Sequence, residues 1–494
     1  MEFAQALNEE ARKTYTENGA TAYNSTGNGL LDFFGSAGSL READETRKQR
    51  LFEEAFKEDK LLATKALFYV RDVRGGLGER QTFRELLRYL AFRHPEAVKP
   101  NIKLIGEYGR FDDLYSLVGT ILENDVWDFF YNVFIEDEKL MKANKPVSLL
   151  AKWLKSADAS SKATRELGIL TAKGLNMTVY DYKRRVKALR KYIGIVESKM
   201  SSGEWSEIAY DEVPSRAMMN YRDAFTRHDP KGFASFLNAV NKGETKINAS
   251  TLYPYDILEK YNWYSSYGWG NRQVVKEDAA LEAQWKALPD YVGTEANALV
   301  IADTSGSMSG RPMNSAVGLA IYFAERNKGA FHNLWMSFSE DSKVQKLKGE
   351  TLAQKLSAID TNHWDGNTNL ERAFMNILKI AVDNKVSQEE MVKSLIVISD
   401  MEIDFCAGRS WSFYDEMAER YKEAGYEIPN VVFWNVNSRH DIFHADKNRK
   451  GVQLCSGQSA STFKTLMSSI GMTPTEMMVK VLNSERYTPI TIED

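Results

Sequence analysis

The sequence predicts a multidomain chain: an α-helical repeat region followed by a smaller α/β part on a mainly parallel, doubly wound (Rossmann-like) sheet. Three observations predict it. Apolar residues recur at helical spacing from about 47 to 240. From about residue 295, short strand-like apolar runs alternate with helical patterns. At 494 residues the chain exceeds what one core can bury.

Residues 1–45 are rich in Gly, Ser, Thr and Asn and are expected to form a flexible N-terminal arm with little regular structure. Over 46–290, Leu62, Ala66, Tyr69 and Val73 share one helical face, and Phe83, Leu86, Leu87 and Leu90 share another. Breaks at Arg74–Gly78, His94-Pro95, Gly109-Arg110 and Asn144–Pro146 separate the helices at irregular intervals. Paired, HEAT-like helices stacked without a strict repeat are the expectation. Residues 242–257 read as an extended connector, and 258–293 as a last helix with a linker. In the α/β part, 295–485, strands are expected at 298–302, 333–338, 394–399 and 430–434. Helices are expected at 312–327, 352–358, 369–384 and 411–424.

Composition narrows the function classes. With 43% hydrophobic and 12% aromatic residues the chain is not largely disordered. Nothing at the start reads as a signal peptide, and the apolar runs are too short to span a bilayer, so a cytoplasmic protein with no membrane partner is expected. Cys406 and Cys455 have no metal-ligand spacing. The net charge of −4 is unevenly spread. From residue 291 onward, 26 acidic residues face 21 basic ones, whereas the first 290 residues carry 42 and 43. Within 152–199 lies a basic stripe containing Lys152, Lys155, Lys183, Arg184, Arg185, Lys187, Arg190 and Lys191. A solvated helix face is its bland reading, and phosphate binding its functional one.

The first α/β strand runs into Asp303-Thr304-Ser305-Gly306-Ser307. Alone this D-x-S-x-S run is weak, since such loops commonly turn or cap a helix, and Pro312 suits a first helical turn. Two further elements strengthen it: Thr368 at the opening of a later helix, and Asp400 just past the apolar run Leu395–Ile398. In an open α/β sheet, ligands bind beyond the carboxyl ends of the strands. Two carboxylates and three hydroxyls form an all-oxygen set, suited to a hard cation, Mg²⁺ first and Mn²⁺ second, and not to zinc.

The set Asp303, Ser305, Ser307, Thr368 and Asp400 resembles the metal ion-dependent adhesion site (MIDAS) of von Willebrand factor A domains. The resemblance implies direct coordination by Ser305 and Ser307, direct or water-mediated coordination by Thr368, and mainly water-mediated contacts from Asp303 and Asp400. It also implies a position open to a partner's carboxylate or phosphate. Asn369 stands where many relatives carry an acidic residue, and Glu402 and Asp404 read as a solvated loop.

In the helical part, Arg71-Asp72, Arg74–Arg80, Gly109–Leu114, Ala151–Leu154, Glu166–Gly168, Tyr182–Arg185 and Val213–Ser215 resemble an uncharacterised bacterial and phage family. That family joins a helical region to a C-terminal von Willebrand factor A domain and is similar in plan to the TROVE proteins, which include the Ro autoantigen. The resemblance covers roughly 30–480. It implies a ring of helical repeats completed by the A domain and RNA held on basic residues, here the eight of the stripe, with Trp153, Tyr180 and Tyr182 as stacking partners. A phage protein would act in the host cytoplasm.

Enzyme motifs are absent from the sequence. The Arg74–Arg80 loop lacks G-K-[ST] and follows no strand. The six histidines fall in no ligand pattern, and no serine sits in G-x-S-x-G. The expectation is a non-enzymatic, TROVE/Ro-like RNA-binding protein with a divalent-metal-dependent A domain, monomeric in preference. The alternative is a metal-dependent protein-interaction module in phage or bacterial assembly, or an ATPase-associated adaptor, with no RNA role. In that case a partner's Asp or Glu reaches the metal.

Overall fold

The structure, a computed structural model, describes residues 3–264, 274–293, 296–364, 366–404 and 412–493. It has a mostly helical N-terminal region and a C-terminal mixed-sheet domain. Polar N-caps start many of the helices: Asp44, Asp59, Ser161 and Thr178 each accept a bond from a first-turn amide. No helix among the described residues is long and apolar enough to cross a membrane. Cys406 lies outside the described residues.

The expected flexible arm is corrected. Strands β1 (Lys13–Tyr15) and β2 (Thr21–Tyr23) pair in a hairpin, and the helix Gly29–Ser36 is buried almost throughout. Its glycines permit close approach and do not mark a loose chain. A Cβ on Gly38 would lie 2.7 Å from the backbone of Gly457, and the Gly38 amide donates to Ser456 Oγ at 3.0 Å. This segment is wedged between the first helices and the sheet domain.

The large sheet contains β3 (Ala298–Asp303), β4 (Leu334–Phe338), β5 (Ser342–Lys346), β6 (Ser394–Ser399), β7 (Asn430–Asn435) and β8 (Val452–Ser456). Their order is β5-β4-β3-β6-β7-β8, parallel except for the antiparallel edge strand β5. The pleat sends alternate residues to opposite faces. Val300, Ala302, Ile396 and Ile398 join the helix Arg311–Arg326, while Leu299, Ile301, Leu395 and Val397 join the helices Leu370–Asp383 and Phe413–Glu423. Helices therefore cover both faces.

Both ends of the helical region pack on this domain. At one end, the helix Pro474–Leu482 lies on the helices Lys60–Arg71 and Gly29–Ser36. Arg486 there donates to the buried Asp72 at 2.8 and 2.9 Å. At the other end, the helix Pro254–Tyr261 crosses Arg311–Arg326, close to Gly318, and Trp285 donates to Glu325 at 2.8 Å. Glu282 also accepts the amides of Leu352 and Ala353 at 2.8 and 2.9 Å, capping a helix of the sheet domain. One apolar core runs through the contact, from Leu31 and Phe68 to Val300 and Trp434. The expected connector 242–257 already starts a helix at Pro254 and touches the loop that follows the helix Lys60–Arg71, with Tyr253 Oη packed against Gly78.

Candidate metal centre and basic groove

Asp303 closes β3, and Asp400 follows β6, its parallel neighbour. The chain leaves β3 toward β4 and β5 on one side and returns to β6, β7 and β8 on the other. In open sheets whose strand order turns back in this way, ligands bind beyond the carboxyl ends of the strands, and both aspartates lie at that edge.

Asp303 Oδ1 accepts the Ser305 amide at 2.9 Å, and Oδ2 accepts the Ser399 hydroxyl at 2.6 Å. The hydroxyls of Ser305 and Ser307 are 3.2 Å apart. Thr304 pins the loop to β4, its amide and hydroxyl donating to the Phe338 carbonyl at 2.8 and 2.9 Å. Thr368 is tied by backbone bonds to the loops after β6 and β4: its amide donates to Asp404 Oδ1 at 3.1 Å, and the Asn369 amide donates to Ser339 O at 2.8 Å, next to the Phe338 carbonyl that holds Thr304. The Asn369 side chain caps the following helix by accepting from Arg372 N at 3.0 Å. Ser307 is exposed, and the other four are buried.

These residues fit a hard cation. Asp303 and Asp400 are 0% and 1% exposed and repel one another. Burial, and after it the charge of Asp400, push the Asp303 carboxyl well above the usual carboxylate range. A divalent ion held by them would offset both costs, and the side chains of the set itself offer oxygen donors alone.

The Glu402–Asp404 loop is corrected from solvated to structural. Glu402 is 1% exposed; its Oε2 accepts the Glu17 amide at 2.7 Å, and its Oε1 lies 3.0 Å from His440 Nδ1. Asp404 holds the Thr368 loop, as above, and burial raises its pKa. Two partners of the site were missed by sequence reasoning. Ser399 was legible in principle, being the last residue of β6, directly before Asp400. Arg439, whose Nη2 donates to Asp400 Oδ2 at 2.9 Å, follows β7 in a loop without a motif.

The basic stripe divides. The helix Val179–Ile193 and the segment Val196–Ser202 flank a groove of about 1370 Å³ lined by Tyr180, Lys183, Arg184, Lys187 and Lys191. Lys187 and Lys191 are exposed and have no ion-pair partner among the described residues. Lys183 pairs with Asp158 at 2.8 Å and Arg184 with Asp181 at 3.2 Å, all four side chains well exposed. Glu204 and Glu207 also line the groove, so it is not uniformly positive. Three of the predicted residues are structural. Arg185 Nε donates to Glu138 at 2.7 Å over the Phe134 ring, and that bond raises its pKa. Arg190 lines the groove but donates to Ala151 O, Leu154 O and Ser156 Oγ at 2.8, 2.6 and 3.0 Å. Lys155 faces Asp112 at 3.5 Å. Lys152 lies over the Trp153 ring, away from the groove. Of the three expected stacking partners, only Tyr180 is free, at 76% exposed. Tyr182 is buried, donating to Lys155 O at 2.7 Å, and Trp153 lies under Arg110.

Fold and sites together define a helical region that packs at both ends onto an open-sheet domain, with two buried aspartates at the carboxyl edge of the sheet and a basic groove among the helices. The chain belongs to the family described as Domain of unknown function (DUF2828), which matches residues 16–146 and 147–296. Residues 297–490 match a second family, Domain of unknown function (DUF7788). Uncharacterized protein L728 of Acanthamoeba polyphaga mimivirus is 27% identical over 522 residues, covering 98% of this chain and 89% of that protein. The crystal structure of the Deinococcus radiodurans RO (RSR) protein aligns with 93% of this chain and 100% of its own at 12% identity, with a TM-score of 0.40.

Proposed function

We propose that this is a non-enzymatic RNA-binding protein whose sheet domain, of the von Willebrand factor A type, binds a ligand through Mg²⁺ or Mn²⁺. The observation that carries the RNA reading is the groove along Val179–Ile193, lined by the exposed ring of Tyr180 and by Lys187 and Lys191, which have no ion-pair partner among the described residues. Free ammonium groups neutralise phosphates, and an exposed aromatic stacks on an unpaired base, the combination that single strands require. Structured RNA would meet the same charges without the stacking. The test is binding of a short single-stranded RNA to the full chain at ~150 mM salt, near physiological ionic strength. Tyr180→Ala combined with Lys187→Glu should weaken it strongly; absent or unchanged binding rejects the reading.

In the metal site, Ser305, Ser307 and Thr368 would supply hydroxyls and Asp303 and Asp400 the charge. The ion would supply an electrophilic position for a partner's oxygen. A second reading, a metal-dependent protein-interaction module without RNA, is favoured by the same acidic crevice, because a partner's Asp or Glu could complete the coordination. Pull-downs with and without EDTA separate the two.

A further inference from the structure

Both oxygens of Asp400 are already engaged. Its Oδ1 accepts the Glu402 amide at 3.2 Å, and its Oδ2 accepts Arg439 Nη2 at 2.9 Å. The other end of the Arg439 guanidinium, Nη1, lies 2.6 Å from Glu17 Oε2. Glu17 is itself held, since its amide bonds Glu402, and its neighbours Thr16 and Asn18 donate to Ile403 O and Glu402 O at 2.7 Å each. Arg439 therefore bridges a buried carboxylate and an exposed one on a held segment, which also faces His440 Nδ1 at 3.5 Å. Its side chain is 36% exposed, so it can leave Asp400 while keeping Glu17.

We infer that Arg439 is a tethered cation competing with the divalent ion for Asp400, and so sets the metal affinity of the crevice. The inference rests on the metal reading of Asp303 and Asp400. The guanidinium neutralises in advance one of the two carboxylates that would attract the ion. An ion seated between them also places two positive charges close to a third, in a site shielded from water, where such repulsion is weakly screened. The metal can bind fully only as Arg439 withdraws toward Glu17. A loop that follows β7 and a segment from the N-terminal hairpin would thus respond to loading of the crevice.

Calorimetric titration of the full chain with Mn²⁺ tests this in wild type, Arg439→Gln, Arg439→Lys and Asp303→Ala. Removing the charge should tighten binding by about tenfold or more. Arg439→Lys, which keeps it, should stay close to wild type, and Asp303→Ala should not bind. If Asp303→Ala abolishes binding and Arg439→Gln binds no tighter than wild type, Arg439 is not a competitor and the metal reading survives. If Asp303→Ala binds like wild type, the metal reading itself falls. In the unmodified chain, Mn²⁺ should speed tryptic cleavage after Arg439; protection by Mn²⁺ overturns the inference without any variant.

Discussion

His444 Nε2 lies 3.0 Å from the carbonyl oxygen of Met401 and donates to it, joining the loop after β7 to the residue that follows Asp400. Met401 has a φ of 69°, a left-handed conformation that a methionine does not favour. The bond supports the turn that presents Asp400 to the crevice. His444 is 1% exposed and its Nδ1 has no partner among the described residues, which favours the neutral ring.

Burial pushes the His444 pKa down to about 4, against about 6.5 in an unfolded chain. A lowered folded-state value means that the unfolded chain takes up the proton first. The stabilisation is complete above pH ~6.5 and is lost as pH falls toward 4. Between pH 7.5 and 5 the loss should be about 2 kcal/mol. Denaturant melts at both pH values should show His444→Gln, which keeps a donor for Met401, with a correspondingly smaller pH dependence. Carboxyls raised by burial, such as Asp32 and Glu79, act in the opposite sense but are common to both chains and cancel. Equal pH dependence in the two chains would refute the neutral buried ring.

Asp72 is fully buried and accepts from Arg486 Nε and Nη2 and, at 3.1 Å, from Tyr487 Oη, which clasps the C-terminal segment to the first helices. Asp72→Asn leaves the guanidinium with a neutral partner. Because Arg486 is 31% exposed, water recovers part of the loss, so about 2–3 kcal/mol of destabilisation is expected. The last turn should also open, giving faster amide exchange over 485–493. Exchange rates there equal to wild type would show that the clasp does not hold the segment.

The sequence exposed the sheet better than the helical region, for a physical reason. Buried parallel strands are continuous apolar runs, so Ser394–Ser399 was legible to the residue and Asn430–Asn435 to within one. The edge strand Ser342–Lys346 (Ser-Lys-Val-Gln-Lys) escaped because antiparallel pairing at an edge needs little apolar content. The residues 16–40 misled because Gly38 and its neighbours pack against residues 456–457, over four hundred positions away. Composition reports local freedom and is blind to such distant packing. The metal set came from a motif, whereas Arg439 and Glu17 reach it only through the fold. The basic stripe showed charge but not pairing, and the partners of Arg185 and Arg190 lie 34 to 47 residues away.

Asp303→Asn should raise stability when no divalent ion is present. The ionised carboxylate is buried beside Asp400, and both effects raise its pKa, so its charge costs stability at neutral pH. An amide keeps an acceptor for the Ser305 amide. The expected gain in EDTA is about 1–3 kcal/mol. Saturating Mg²⁺ should raise Tm in wild type, by the linkage between binding and folding, and leave Asp303→Asn unmoved. A variant less stable than wild type in EDTA would show that the carboxylate is not electrostatically strained, and Mg²⁺ stabilisation of both chains would place the ion elsewhere.

Lys187 and Arg190 are three residues apart, yet their substitutions should fail differently. Lys187→Glu with Lys191→Glu alters two exposed side chains without an ion-pair partner among the described residues, so Tm should stay within about 1 °C, as for surface changes away from specific interactions. RNA affinity should fall, and the slope of log K against log salt should flatten, by about 0.7 for each single-strand phosphate that is no longer neutralised. Arg190→Ala removes bonds to Ala151 O, Leu154 O and Ser156 Oγ that shape the loop before the groove, and should cost about 2 kcal/mol of stability. Tyr180→Ala should weaken binding by about 1–3 kcal/mol, the worth of one stacked base, with no change in salt slope. An unaltered slope in the double charge reversal would mean that phosphates do not run along this groove, and the crevice at Asp303 would then be the better place to look for a partner.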